Sequence, residues 1–418
     1  KAAGAGGGIE LLKTDLFEQC TGTAGEIIRK GGLVAVPTET VYGLAANGMD
    51  AAAVEKLYEV KGRPAIKPLS LMVSSAGDLT RYARSVPAAA QILAERFWPG
   101  PLTLVLPAKE EIPSIVRAGG NTIGLRCPDH PLTLLALREA GVPFAAPSAN
   151  PSGEPSPKTA EEVLAYFQGK IDAVIDGGPC TLGKESTILD LSCVPYRVLR
   201  MGALPSEAIS GALVDAMNII GITGTTGSGK TSALKFLQEY GALVIDCDKV
   251  YHELLETSEK LQTQLRERFP GAFCTGELDR RALGDIVFSD ADALKDLNAI
   301  THAFVQQEVQ KRLETHAMAG GQLVAIDAVE LISSGVSDLC SCTVAVLAPV
   351  EQRVRRIMER EGISETDARK RIAAQKSDDY YRKNCTFTVI NDGSREEFLS
   401  VFIKTIREEL KQDGRHQK

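Results

Sequence analysis

The stretch Asn218-Ile-Ile-Gly-Ile-Thr-Gly224-Thr-Thr-Gly-Ser-Gly229-Lys230-Thr231 reads as an apolar strand, a glycine-rich loop and the start of a helix. It matches G-x-x-x-x-G-K-[ST] without a mismatch, which predicts a phosphate-binding loop. Backbone N–H groups should face a β-phosphate, Lys230 should reach the β- and γ-phosphates, and the Thr231 hydroxyl should ligate Mg²⁺. The predicted phosphate-binding residues between the strand and Lys230 are Gly224, Thr225, Thr226, Gly227, Ser228 and Gly229.

This motif begins in the middle of a 418-residue chain, although a phosphate-binding loop stands near the N-terminal edge of its fold. More than 200 upstream residues must therefore form something else, and the length agrees with two domains. We predict two α/β domains: a twisted one over 9–203, and one with a parallel sheet and a helical lid over 218–418. A small-residue linker would span 204–217, and residues 1–8 would form a flexible tail.

Composition narrows the class of protein. With 44% hydrophobic and 24% charged residues and no apolar run near the roughly 18 residues of a membrane span, the chain is predicted to be a cytoplasmic globular protein. Residues 1–208 hold 20 basic against 22 acidic side chains, and the remainder 27 against 32. This balance argues against a DNA-coating protein and leaves room for a local basic groove that contacts one RNA.

The nine cysteines show no framework spacing, which indicates reduced thiols. Cys127 and His130 offer two metal ligands, but no second pair completes a tetrahedral set. A buried thiol is the favoured interpretation of Cys127.

The first half alternates short apolar strands with amphipathic helices, and no G-x-G-x-x-G follows its first strand. Strands are predicted over 32–37, 102–106, 122–126, 142–146 and 187–191, with helices near 50–60, 87–96, 130–140 and 158–167. Polar residues gather at the ends of these elements. They lie in Thr38-Glu-Thr40, Lys61-Gly-Arg63, Ser148-Ala-Asn150 and Lys184-Glu-Ser-Thr187.

Hydroxyls, an amide and a Lys-x-Arg pair are suited to a polyphosphate and a carboxylate. Any one of these groups could instead be a turn or helix-cap residue. Together they resemble the YrdC-like threonylcarbamoyl-AMP synthases over nearly all of 9–203. The matching segments are Pro37–Leu44, Lys61–Pro64 with Lys67–Leu69, Trp98–Thr103, Gly124–Pro128, Pro147–Asn150 and Glu185–Ile188.

The resemblance implies condensation of L-threonine, bicarbonate and ATP into threonylcarbamoyl-AMP, which partner proteins use to modify tRNA beside the anticodon. It also implies transient tRNA contact and double-stranded RNA binding. Lys61 and Arg63 would neutralise phosphates, and Thr38 and Arg126 would hold the threonine side of the carbamate. The positions that match the family around the nucleotide and intermediate are Ser148, Asn150, Ser186 and Arg200. Many members carry His where this chain reads Ser70-Leu-Met72, so substrate geometry would differ there.

In the second half, a strand over 242–245 ends in Asp246-Cys-Asp248 and runs into a helix. A GTPase would need Asn-Lys-x-Asp, which is absent from the sequence. Asp248 could accept the proton of an attacking hydroxyl or hold Mg²⁺. It could also cap its helix, and the two roles are compatible.

These features resemble dephospho-CoA kinase over about 218–412. The matching segments are Gly221–Thr231, Asp246–His252, Asp279–Leu283, Ile300–His302, Val324–Ala328, Arg360, Arg371–Gln375 and Val389–Ser394. The family uses ATP to phosphorylate the ribose 3′-hydroxyl of dephospho-CoA. Asp248 would be the general base, and Arg281 and His302 would line the acceptor side.

Residues 349–375 would form a lid whose arginines neutralise the transferring phosphoryl group, Arg360 among them. The six lid arginines are Arg353, Arg355, Arg356, Arg360, Arg369 and Arg371. About half of them could equally form a solvated face with i,i+4 pairs. The family places an acidic residue where this chain has Ser333, a departure on the acceptor or magnesium side.

The sequence therefore predicts a bifunctional enzyme that uses Mg²⁺ with ATP and no redox cofactor. Two alternatives stay open. One half could be a non-catalytic RNA- or nucleotide-binding module, or the P-loop half could phosphorylate another nucleoside-like acceptor.

Overall fold

A computed structural model describes residues 10–12, 17–274 and 276–412; the predicted tail over 1–8 lies outside them. The chain divides into two compact units, one running to Leu213 and including Met318–Gly320, the other comprising the remainder from Val214. Among the described residues, no helix combines the length and apolarity that crossing a bilayer requires.

The first unit contains a ten-stranded mixed sheet. Its strands are β1 (Glu10–Leu12), β2 (Val34–Val36), β3 (Gly43–Asn47), β4 (Ser70–Met72), β5 (Leu102–Pro107), β6 (Thr122–Arg126), β7 (Phe144–Ala145), β8 (Ala173–Ile175), β9 (Thr187–Asp190) and β10 (Arg197–Arg200). Their spatial order is β1-β8-β2-β3-β7-β4-β6-β5-β9-β10. Strands β2 and β3 are antiparallel neighbours, as are β3 and β7, whereas β4 and β6 run parallel.

Helices connect these strands. They are α1 (Phe17–Arg29), α2 (Ala51–Lys61), α3 (Leu79–Tyr82), α4 (Ala88–Phe97), α5 (Pro131–Ala140) and α6 (Ala160–Phe167). Helices α1 and α5 pack against the sheet through Ile28 and Leu137, and Phe144 is fully buried in the same core. The two helices approach closely, because a Cβ at Gly25 would lie 3.0 Å from the backbone nitrogen of Ala140.

The five strands predicted in the first half correspond to β2, β5, β6, β7 and β9. The four predicted helices correspond to α2, α4, α5 and α6. The remaining strands carry weak sequence signals: β4 and β8 have three residues each, and β3 reads Gly-Leu-Ala-Ala-Asn with no polar alternation.

The interval predicted as a linker over 204–217 is not extended chain. It contains helix α7 (Ser206–Asp215), and Ile209 and Leu213 are buried four residues apart. That spacing places both side chains on one face of a helix, a signal that the small residues around them obscured.

The second unit is built on a five-stranded parallel sheet. Its strands are β11 (Asn218–Gly224), β12 (Leu243–Asp246), β13 (Leu323–Asp327), β14 (Cys342–Leu347) and β15 (Phe387–Ile390). The order is β12-β13-β11-β14-β15, and all four pairings are parallel, as predicted. The strand of the phosphate-binding motif is therefore central, and its carboxyl end lies beside those of β13 and β14.

Helices surround this sheet. They are α8 (Lys230–Glu239), α9 (Cys247–Thr257), α10 (Glu259–Arg268), α11 (Arg280–Ser289), α12 (Ala291–Met318), α13 (Val350–Glu361), α14 (Glu365–Ala373), α15 (Asp378–Asn384) and α16 (Arg395–Gln412). Leu237 of α8 and Phe402 of α16 lie in one buried cluster with Ile220 and Val344 of the sheet. A second cluster joins α9, α10, α11 and the start of α12.

Candidate active sites

A cavity of about 220 Å³ lies where several strands of the first unit end. Polar groups from six separate segments line it: Thr40, Arg63, Arg126, Ser148, Ser186 and Arg200. Five of these six residues had been predicted as site residues, and the cavity brings them together. Thr40 had not been predicted as a site residue.

Arg126, at the end of β6, is 7% exposed and is oriented by three acceptors. Its Nη2 donates to Glu39 Oε1 at 2.7 Å and to Thr40 Oγ1 at 3.0 Å, and its Nε donates to the carbonyl of Gly100. The second oxygen of Glu39 accepts the backbone N–H of Asp129. Buried charges need such compensation, so Glu39 fixes the position of Arg126. The sequence analysis did not predict a role for Glu39, although this residue stands between Thr38 and Thr40.

Arg200, at the end of β10, forms hydrogen bonds with the turn that precedes β9. Its Nε and Nη2 donate to the carbonyl of Ser186 at 3.1 and 2.9 Å, and its Nη1 lies 3.3 Å from Glu185 Oε2. The Ser186 hydroxyl lies 2.9 Å from that of Thr103. Arg200 and Ser186 therefore form one hydrogen-bonded wall of the cavity.

Arg63 reaches the cavity from the loop after α2. Its Nη2 donates to the carbonyl of Pro68 at 3.2 Å, and its buried Nε has no hydrogen-bond partner among the described residues. Burial lowers the pKa of Arg63, which still stays charged at neutral pH. This guanidinium retains unused donor capacity beside the cavity.

Three predicted residues do not line the cavity. Thr38 Oγ1 is turned inward, donating to the carbonyl of Val41 and accepting the N–H of Thr40. Asn150 donates its amide to the carbonyls of Pro151 and Glu154. The turn interpretation, which the sequence left open, describes these two residues.

Lys61 is the third. Its ammonium donates to the carbonyls of Ser148 and Asn150, away from the cavity lining. Ser70 and Met72, where the resemblance led us to expect a different substrate geometry, do line the cavity.

In the second unit, β11 leads directly into the glycine-rich loop. Gly224, Gly227 and Gly229 have φ values of 138°, 81° and 101°, which L side chains rarely adopt. A Cβ on Gly224 would lie 2.1 Å from the carbonyl oxygen of Val346, so that position requires glycine. Helix α8 then starts at Lys230, whose Nζ lies 2.5 Å from Asp327 Oδ1 at the end of β13.

The backbone N–H groups of this loop are not all free for a phosphate. Thr226 N–H donates to Gln375 Oε1 at 3.0 Å, and Ser228 N–H donates to the carbonyl of Thr225 at 3.2 Å. The prediction that N–H groups between Gly224 and Lys230 face a phosphate stays a prediction; in this structure, the lid and the loop's own turn accept two of these N–H groups.

A second cleft, of about 200 Å³, lies beside the loop. Asp248 of α9, His302 of α12 and Glu330, which follows β13, line it together. Burial lowers the pKa of His302, while the charge of Glu330 acts in the opposite direction. Arg281 does not line this cleft; it is exposed near the start of α11. The Ser333 hydroxyl donates to the carboxylate of Glu330, so an acidic group is present at this end of the cleft despite the departure at Ser333.

Asp248 does not cap α9. The cap is Asp246, whose Oδ1 accepts the N–H groups of Asp248 and Lys249, each at 3.1 Å. Asp248 occupies the second helical position, exposed and facing the cleft. The capping alternative is therefore wrong for Asp248, because the helix begins at Cys247 and its cap lies two residues before Asp248.

Five of the six lid arginines divide into two groups, and the sixth, Arg355, is exposed. Arg353 donates to the carbonyl of Thr226, and Arg356 donates to the carbonyls of Gly227 and Ser228, so both hold the glycine-rich loop. Arg360 and Arg371 pair with Glu361, and Arg369 pairs with Glu351 and Glu365. The solvated-face interpretation thus describes the second group.

No cluster of three or more His, Cys, Asp or Glu side chains suited to a metal is found in the described part of the chain. Cys127 is 2% exposed, and burial raises the pKa of its thiol to about 11. This agrees with the predicted buried thiol.

Comparisons with known proteins also divide the chain into two parts, with the division between residues 202 and 218. A family model for Sua5, YciO and YrdC proteins, described as telomere recombination, matches residues 26–202, and a dephospho-CoA kinase model matches residues 218–397. A threonylcarbamoyl-AMP synthase of Pyrococcus abyssi is 49% identical over 44% of this chain and 55% of its own length. The chain spans about half the length of the first curated relatives it matches.

Shorter relatives are covered almost entirely. A protein of Mycobacterium tuberculosis named as a putative threonylcarbamoyl-AMP synthase is 37% identical over 46% of this chain and 89% of its own length. A dephospho-CoA kinase of Corynebacterium diphtheriae is 35% identical over 43% of this chain and 91% of its own length. A solved P. abyssi Sua5 structure complexed with L-threonine aligns over 77% of this chain and 93% of its own, with 31% identity and a TM-score of 0.48.

The cap assignment predicts which aspartate stabilises α9. Asp246→Ala should lower the free energy of unfolding of the second unit by about 1 kcal/mol, because two N–H groups lose their acceptor. Asp246→Asn should retain most of that stability, since Asn caps as well as Asp. Urea denaturation of the full chain measures both; an unchanged Asp246→Ala transition would contradict the assignment.

Proposed function

Residues 26–202 belong to the Sua5/YciO/YrdC family and residues 218–397 to the dephospho-CoA kinase family, and we propose that the chain is a bifunctional enzyme with one activity from each. The first unit would join L-threonine, bicarbonate and ATP into threonylcarbamoyl-AMP and release pyrophosphate. The second would transfer the γ-phosphoryl group of ATP to the 3′-hydroxyl of dephospho-CoA, giving CoA and ADP.

For the first unit, the observation that supports the proposal is the convergence of Arg63, Arg126 and Arg200 on one cavity. N-carboxylated threonine carries two carboxylates, and one of its oxygens must attack the α-phosphorus of ATP while pyrophosphate leaves. Two anions meet only where positive charge offsets their repulsion, and prearranged guanidinium groups provide it without reorganisation. Ser148 and Ser186 add hydroxyl donors, and no covalent nucleophile is needed.

The three arginines suit different partners. Arg126 is deeply buried and already paired with Glu39, which suits a short carboxylate at the closed end of the cavity. Arg63 has a free Nε, and Arg200 donates Nε and Nη2 to a neutral carbonyl while only its Nη1 lies near Glu185, so both can still attract phosphate oxygens. We therefore assign the threonine side to Arg126 and the nucleotide side to Arg63 and Arg200.

For the second unit, the supporting observation is the position of Asp248 in the cleft that contains His302 and Glu330. Asp248 is also close enough to Asp327, the partner of Lys230, for its charge to raise the pKa of that carboxyl. A ribose hydroxyl in this cleft would give its proton to Asp248 as its oxygen attacks the γ-phosphorus. Lys230, now paired with Asp327, would move onto the phosphates, because a polyphosphate carries more negative charge than one carboxylate.

The oxygen donors at this place fit Mg²⁺. Thr231 is the second residue of α8. The charges of nearby Asp246 and Asp248 contribute to the raised pKa of Asp327, so three carboxylates lie close together near Lys230. Mg²⁺ uses one or two protein oxygens together with phosphates and water. Thr231 and Asp248 would hold the ion, and it would offset charge on the β- and γ-phosphate oxygens.

We also propose how the first product is used in the cell and where the chain is located. Threonylcarbamoyl-AMP would pass to partner proteins that modify tRNA, with transient tRNA contact by the first unit, and double-stranded RNA binding belongs to the same proposal. We also place the chain in the cytoplasm. The near-neutral charge balance supports brief rather than tight RNA contact.

Separate phosphate sites predict separable activities. Lys230→Ala should abolish CoA formation, because the lysine is the charge that reaches the transferring phosphate, and should leave threonine-dependent pyrophosphate release near the parent rate. Both are measured on one preparation of the full chain. Simultaneous loss of both activities in a folded variant would contradict two independent sites.

Arg63→Ala should lower threonylcarbamoyl-AMP synthesis by about two orders of magnitude, the scale of one lost prearranged electrostatic contact. Product formation is followed with labelled threonine, and CoA formation by the same preparation controls for folding. Unchanged synthesis would show that Arg63 only ends a helix.

Asp248→Asn should lower turnover of dephospho-CoA by roughly 10²-fold or more, because an amide cannot accept the proton. Since Asp248 is not the helix cap, the unfolding free energy should change by less than about 0.5 kcal/mol. Nucleoside monophosphates serve as control acceptors, and their phosphorylation at a comparable rate would favour a different kinase. A stable variant with normal turnover would move the base to Asp246 or Asp327.

A further inference from the structure

Lys61 is a buried cation without an acidic partner. It is the last residue of α2, only 3% exposed, and its ammonium donates to two backbone carbonyls, those of Ser148 and Asn150. In the described part of the chain, no carboxylate pairs with it. Burial, followed by the nearby charge of Arg63, lowers the pKa of Lys61 to about 7. Placing an ammonium here is costly, so the arrangement calls for a compensating role.

The same lysine binds this segment a second time through its backbone. The carbonyl of Lys61 accepts the N–H of Ser152 at 2.8 Å. Lys61 therefore contacts the segment 147–152 at three residues, Ser148, Asn150 and Ser152. The segment also bonds to β3 and to the residue before that strand. Leu44 N–H donates to the carbonyl of Pro147, and Ala149 N–H donates to the carbonyl of Tyr42.

The end of α2 directs the two basic side chains to different places. Gly62 has φ 59°, a left-handed conformation that ends the helix and turns the chain. Arg63, after this turn, lines the cavity, whereas Lys61, before it, does not. What Lys61 holds does reach the cavity, because Ser148 lines it.

We propose that Lys61 is a positioning residue that fastens the segment 147–152 to the end of α2, so that Ser148 and Arg63 meet at the cavity, and that it makes no contact with substrate phosphate. This inference rests on the proposed function of the first unit, and it differs from the sequence-based interpretation of Lys61 as a phosphate ligand.

The test compares three variants of the full chain. Lys61→Met keeps the length of the side chain and removes its donors; Lys61→Arg restores donors. Lys56→Met is the matched control, because Lys56 lies on the same helix, is exposed and pairs with Asp172. CoA formation by the second unit reports on the integrity of each preparation.

Hydrogen exchange without substrates examines the segment directly. Lys61→Met should speed exchange of the Ala149 and Ser152 amides by about tenfold or more, since local opening becomes easier. Lys61→Arg should restore most of the protection, and Lys56→Met should leave it unchanged. Parent-like protection in Lys61→Met would overturn the proposal, and this outcome does not depend on the activity of the first unit.

Kinetics separate positioning from phosphate contact. Lys61→Met should lower kcat for pyrophosphate release by about 10- to 100-fold, the usual scale for a lost supporting contact, with the KM for ATP changed by less than about threefold. Combined with Ser148→Ala, the losses should be less than additive, because both act through one hydroxyl. An ATP KM raised by about tenfold or more with normal kcat would overturn the proposal. No pyrophosphate release by the parent chain would instead refute the proposed function.

If Lys61→Met fails to fold, Lys61→Arg carries the same comparison. It should keep parent-like exchange and at least about a third of the parent kcat, because a guanidinium has several N–H donors that the carbonyls of Ser148 and Asn150 can accept. Loss of protection or of kcat in a folded Lys61→Arg protein, similar to that of Arg63→Ala, would overturn the positioning role.

Discussion

Hydrogen bonds from basic side chains to backbone carbonyls organise the phosphate-facing regions of both units. Lys61 and Arg63 in the first unit and Arg356 in the second donate to carbonyls and have no carboxylate partner among the described residues. Arg200 and Arg353 also donate to carbonyls, but each lies near a carboxylate as well, Glu185 and Asp378 respectively. A carbonyl orients a cation and satisfies its donors but leaves its charge intact, whereas a carboxylate would cancel it. Sites that must attract anionic substrates can therefore be rigid and still positive.

The two units offer different sites for the ATP that the proposed function requires. The first uses guanidinium groups that converge from separate strands, and the second uses a glycine-rich loop at the carboxyl end of one central strand. Close approach of Gly224 to Val346 shows why the loop requires glycine. Where carboxylates do pair with cations, as Glu39 does with Arg126 and Asp327 with Lys230, the pair either fixes a buried group or holds a side chain that substrate can recruit.

Local signals predicted the elements that carry strong patterns. The phosphate-binding loop, the parallel sheet of the second unit and helices such as α5 follow from apolar periodicity and turn residues. Short strands such as β4 and β8 were not predicted, because three residues are too few to show a periodic pattern. The role of each polar residue was harder to predict: Thr38 and Asn150 share a motif with cavity residues yet turn away from it, and Asp246 rather than Asp248 caps α9.

The sequence by itself determined the two-part organisation, both fold classes and the chemical character of each site, because motif spacing and residue type are local properties of a chain. Only the tertiary structure decided which side chains share a cavity. Lys61 and Arg63 are two residues apart, yet a left-handed Gly62 sends one to a backbone segment some 90 positions later and the other to the cavity. Likewise, Asp248 and His302 meet because parallel strands end at one edge of a sheet and a long helix passes beside it. Direction and proximity come from packing between distant segments, which no local pattern encodes.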